Sequence, residues 1–175
     1  MGMAKLLFCA LAAGTPLMAV AQAPSEPPVA HVSNSFEFSL DTSYEKVVPL
    51  FGPESEKAWA GTDWNPTFLY PNPGHDVEGS VFSVAHGSHT SVWVNTVFDL
   101  EQGKMQYVSF VPEVAVTVVD VRVTRGATGT LVHVTYTRTA LQTATSEVVE
   151  ALGARDRTSA EEWRSGLSAF LESQH

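Results

Sequence analysis

The chain has 175 residues, 44% of them apolar and 17% charged, with nine Phe, four Tyr and four Trp. That composition excludes a disordered polymer and is enough for one domain with a real core. The formal charge of −9 argues against nucleic acid as a partner, and a single cysteine excludes an internal disulfide or a thiolate metal cage.

The first residues read as an export signal. Lys5 precedes an apolar run from Leu6 to Val20, which ends in the small-x-small pattern Ala19-Val20-Ala21. Gly14 and Pro16 interrupt the run, and it is shorter than the roughly 20 residues a membrane span needs. Cleavage after Ala21 is expected, leaving a mature chain with no membrane-spanning segment in the periplasm or outside the cell. Cys9 sits early in the run behind Phe8, so it does not fit a lipidation site. Residues 22–33 hold three prolines and read as an extended tether.

A domain is expected over 34–173. Phe36-Glu37-Phe38-Ser39-Leu40 alternates apolar and polar, as a strand with one buried face does. Thr42 and Glu45 have the spacing of a capping box, opening a short helix that Pro49 and Gly52-Pro53 end. A second short helix is expected over Glu54–Ala58, closed by Trp59. After a loop from Gly61 to Gly74, five alternating segments follow: Gly79–Ala85, Thr90–Asp99, Met105–Val111, Val114–Arg125 and Thr130–Leu141. Their short connectors imply an antiparallel meander. The chain ends in helix, one piece over Thr145–Leu152 with an interruption near Gly153, then a second with Ser159 and Glu162 at capping-box spacing. Trp163, Leu167, Phe170 and Leu171 form one apolar stripe there, which must cover a face of the sheet.

This order resembles the SRPBCC superfamily of START-like, helix-grip domains, which includes polyketide cyclases, lipid-transfer proteins and birch-pollen-type allergens. The resemblance is carried by Trp59-Ala60-Gly61-Thr62-Asp63-Trp64-Asn65-Pro66, Gly79-Ser80-Val81-Phe82, Thr96-Val97-Phe98-Asp99, Met105-Gln106-Tyr107-Val108, Val119-Asp120-Val121-Arg122-Val123 and the segment Val132–Leu141. It covers about Phe36 to Leu171. It implies an α+β fold in which a curved antiparallel sheet of six strands wraps a long C-terminal helix, with two short helices after the first strand. It also implies a cavity between sheet and helix. Arg138 stands where that family more usually has an aliphatic residue, and export is unusual for members of this kind.

Strand parity puts Val132, Val134, Tyr136 and Arg138 on one face, the more apolar one, so these are expected inward. A buried guanidinium needs an anion. Arg138 would either grip a ligand carboxylate or form a structural pair, with Asp120 on the neighbouring strand one possible partner. Trp59 and Trp64 could stack on a flat ligand and donate indole N–H groups, or simply plug one end of the sheet, and Trp93 is expected to line the cavity. Tyr107, Tyr136, Asp120 and Arg138 are the candidates for proton transfer. Trp163 and Phe170 are expected as core that doubles as cavity wall. His86 and His89 frame a turn and could bind zinc with His75 and Asp76, yet no third ligand is fixed by spacing, so no metal and no cofactor is expected. The expected partner is a small apolar or aromatic molecule. A cyclase- or dehydratase-type enzyme using the same cavity, and a structural module with a filled interior, are the alternatives.

Overall fold

The computed structural model describes residues 28–87 and 89–174. The export signal expected over 1–21 and the first part of the tether lie outside the described residues.

The described residues form seven strands, all but β2 built on stretches in which apolar and polar residues alternate: β1 (His31–Leu40), β2 (Thr67–Tyr70), β3 (Val81–His86), β4 (His89–Asp99), β5 (Lys104–Val111), β6 (Ala115–Arg125) and β7 (Thr130–Ala140). They form one antiparallel sheet in the order β1-β7-β6-β5-β4-β3-β2. The first strand closes on the last, and β3 to β7 run as a meander. Six strands were expected, and β2 is the seventh. It is four residues long, lies inside the Pro- and Asn-rich loop, and keeps Leu69 and Tyr70 exposed, so it carries no burial pattern to read. Strand β1 starts at His31, so 31–33 of the expected tether belong to the sheet, paired with Thr139, Arg138 and Thr137.

The two capping boxes do not form. Helix α1 spans only Tyr44–Val47, its N-cap is Ser43, and no side chain caps it. The Thr42 carbonyl instead accepts from the Thr130 hydroxyl at 2.7 Å, and Glu45 pairs with Arg125 at 2.7 Å. A 3-10 turn follows at Val48–Leu50, and another at Ser55–Ala58 takes the place of the second short helix.

The expected long terminal helix is two: α2 (Ser146–Asp156) and α3 (Ala160–Ser173). The break falls at 157–159 rather than near Gly153. Gly153 is interior to α2, and it has no side chain because a Cβ there would lie 2.8 Å from Val32 Cγ2 on β1. The glycine marks a close helix–sheet approach instead of a stop. At the true break the hydroxyls of Thr158 and Ser159 donate to the Arg155 carbonyl, at 2.9 and 3.3 Å, satisfying a helix-end acceptor. Ser159 is thus spent on α2 and caps nothing in α3.

Two clusters hold the domain together. The larger packs the concave side of the sheet, including Phe36, Phe82, Met105, Val121, Val132 and Val134, against Phe51, Trp59 and Leu167. The smaller buries Val149 of α2 against Ala115 and Ala140 at the far end. Helix α3 lies on the first cluster through the expected stripe, with Leu167 fully buried and Trp163, Phe170 and Leu171 partly so. Among the described residues no helix is long and apolar enough to cross a membrane.

Candidate functional site

A cavity of about 320 Å³ lies between the sheet, α3 and the segment that follows the second 3-10 turn. That is near the lower end of the range for small-molecule sites. Its walls come from Trp93 on β4, Tyr107 on β5, Val119 on β6 and Tyr136 on β7, with Trp163 of α3 and with Trp59 and Trp64 across from the strands in sequence. Strand parity explains the sheet residues: Tyr107 pairs with Val119, which pairs in turn with Tyr136, so the three form a row on one face. Helix α3 reaches the site because Gly166 permits it. A Cβ there would stand 2.5 Å from the Trp59 carbonyl oxygen.

The aromatic walls are set at steep angles. Trp59 and Trp163 meet at 61° with centroids 5.3 Å apart, and Trp64 and Trp93 meet at 88° and 5.4 Å. The indole donors are already committed, contrary to expectation. Trp59 donates to the Leu50 carbonyl (2.7 Å), Trp64 to the Pro53 carbonyl (3.1 Å) and Trp93 to the Ser91 hydroxyl (2.7 Å). These three N–H groups are therefore already spent within the protein.

Glu56 is the polar centre of the site and was not among the residues singled out from sequence. It is 6% exposed. Its Oε1 accepts from the Tyr107 hydroxyl at 2.8 Å and from the Gly52 N–H at 3.2 Å. Burial raises its pKa to about 7, although both hydrogen bonds pull the other way. Burial, reinforced by the Glu56 charge, pushes the Tyr107 phenol well above its usual range, and burial does the same to Tyr136. The 3-10 turn that carries Glu56 is anchored from outside by Asp76, which accepts from the N–H groups of Glu54 and Ser55 at 2.7 and 2.9 Å. A sequence signal did exist. In the short helix expected at 54–58, Glu56 and Trp59 are three residues apart and share a face.

Three of the nine residues selected from sequence lie elsewhere. Asp120 faces the opposite side of the sheet, opposite Thr135, where it accepts from Gln106 at 2.9 Å and stands 3.9 Å from Arg122. It alternates with Val119 and Val121, so the same parity that turns those inward turns it out. Arg138 does face inward but does not border the cavity. Its Nε and Nη2 donate to the two oxygens of Asp156, both at 2.7 Å, and its Nη1 donates to Thr117 at 3.2 Å. The guanidinium also sits 4.8 Å from the Tyr136 ring centroid. The structural pair is therefore the arrangement present, with Asp156 of α2 as partner instead of Asp120. Phe170 borders a separate groove beside Leu40 and Leu50. His86 reaches the cavity rim, on the same face of β3 as Phe82 and Val84. Asp76 is taken up by the backbone at 54–55, and His75 Nδ1 stands 3.1 Å from the Pro73 carbonyl.

Neither a protein-family model nor a curated protein matches this chain. Solved structures do. A hypothetical protein from Helicobacter pylori superposes with a TM-score of 0.59 at 15% identity, over 90% of this chain and 99% of that one. Ara h 8.0201 does so at 0.57 and 11% identity, over 82% and 99%. CalU16 from Micromonospora echinospora reaches 0.52 at 13%, over 81% and 74%. At these identities the likeness establishes the fold alone: α+β, a curved antiparallel sheet with a C-terminal helix packed on it. A shared fold leaves the activity to be argued from the site.

Proposed function

We propose that this protein binds a small apolar or aromatic molecule in the cavity between the sheet and α3. The observation that carries the reading is a space of about 320 Å³ walled by four tryptophans. Apolar walls supply affinity at roughly 25 cal/mol per Å² buried, and the few polar groups orient the guest. The run from Leu6 to Val20 with Ala19-Val20-Ala21 behind Lys5 supports placing this binding outside the cytoplasm. N-terminal sequencing of the protein recovered from its source tests that placement, with Gln22 as the expected first residue.

The binding reading is tested by titration with N-phenyl-1-naphthylamine, a neutral apolar fluorophore. Saturable enhancement at one molecule per chain is expected. Absence of saturable binding would favour the filled module instead. Glu56 supports a second reading, proton transfer of the cyclase or dehydratase kind in the same cavity. A carboxylate with a pKa of about 7 is well matched to general-base work at neutral pH. In that case Glu56→Gln loses turnover while ligand binding persists.

A further inference from the structure

The charge of the cavity lining is one-sided. Three carboxylates border it, Glu56, Asp63 and Glu162, and among the described residues no Lys or Arg does. The titratable base on its border is His86, at the exposed rim. Arg138, which faces inward on β7, has its nitrogens taken by Asp156 and Thr117. Glu162 stands 3.9 Å from Arg155, an exposed pair of the kind that contributes little. Both hydrogen bonds to Glu56 fall on Oε1, and Oε2 accepts none from the described residues. With Oε1 held by the Tyr107 and Gly52 donors, Oε2 is the oxygen left for a guest in the cavity that Glu56 borders.

The aromatic side points the same way. Trp59, Trp64 and Trp93 line the cavity with their N–H groups donated to the protein, so they bring aromatic ring rather than a hydrogen-bond donor to it. Steeply angled aromatic faces with carboxylates around them attract a cation and repel an anion. We infer that the guest is an organic cation: an apolar or aromatic molecule bearing a quaternary or protonated ammonium group, seated against the indole faces with Glu56, Asp63 and Glu162 about it. The inference rests on the cavity-binding reading and adds the sign of the ligand's charge.

Isothermal titration of the full protein at 150 mM salt, which screens the general attraction of an acidic surface for cations, tests it. The probes are 4-hydroxyphenyltrimethylammonium, its neutral isostere 4-tert-butylphenol, and the anion 4-hydroxybenzoate. The cation should bind at least tenfold tighter than the isostere, and the anion weakest of the three. Asp63 and Glu162 are exposed, so the double variant Asp63→Asn/Glu162→Gln should fold normally. It should narrow the preference for the cation to under threefold. Equal binding of cation and isostere overturns the inference while the cavity reading stands. So does a tenfold preference that survives in both the double variant and Glu56→Gln. Failure of all three probes, together with N-phenyl-1-naphthylamine, overturns the cavity reading as well.

Discussion

Two buried acids in this domain are held in opposite ways. Asp156 faces Arg138 through a bidentate fork, with Thr117 completing the guanidinium's bonds. Glu56 has two neutral donors on one oxygen and, among the described residues, no cation paired with it. The first arrangement balances its charge within the protein and ties the end of α2 to β7. The second leaves an imbalance, and it does so beside the cavity. Burial alone does not distinguish architecture from a site here; the presence or absence of an internal counter-charge does.

The comparison can be broken most forcefully at Asp156. Asp156→Ala leaves Arg138 charged and buried, and should cost about 3–5 kcal/mol in chemical denaturation. A loss below 1 kcal/mol would show that the pair is not structural. Glu56 should behave differently, with an effect that appears only as pH changes. Its folded pKa of about 7 lies above the ordinary carboxylate value, so the folded state holds the proton more tightly than the unfolded chain. Its contribution is fully present below about pH 4.5 and is lost as pH rises through 7. Stability at pH 8 should be lower by roughly 3 kcal/mol from this group. Glu56→Gln keeps the acceptor for Tyr107 and Gly52 and cannot ionise, so denaturation at pH 5 and pH 8 should show that component removed.

Gly166→Ala tests the approach of α3 to the Trp59 carbonyl. The added methyl has no room, and about 1–3 kcal/mol should be lost, with a change in tryptophan fluorescence as the helix shifts. The smallest effect is expected for Tyr107→Phe, about 1 kcal/mol from one hydrogen bond. Its value lies in direction. The Tyr107 hydroxyl lowers the Glu56 pKa, so removing it should move the pH midpoint of stability upward. A downward movement would contradict the geometry of the dyad.

Much of the fold was legible because alternation is a strong signal in long strands. Parity together with the more apolar character of the set puts Val132, Val134, Tyr136 and Arg138 inward, and the terminal stripe meets the sheet. What failed had specific causes. Strand β2 is short and exposed, and Gly153 is demanded by contact with β1 rather than by a helix end. Thr42 and Ser159 have capping spacing, but their polar groups are used by Thr130 and Arg155. Asp120 was paired with Arg138 by adjacency of strands, against the parity of its own strand. Glu56 was missed because a carboxylate in a short polar helix reads as surface, and only the tertiary position of Tyr107 buries it.

The tethered indoles have a final consequence. A ring whose N–H is bonded to Leu50, Pro53 or Ser91 is not free to swing. The rotamer freedom that flexible walls would surrender on meeting a guest, about 0.5–1.5 kcal/mol for each side chain, is here given up when the chain folds. The receptacle is cast before anything enters it, and even a guest with few atoms meets a mould already set.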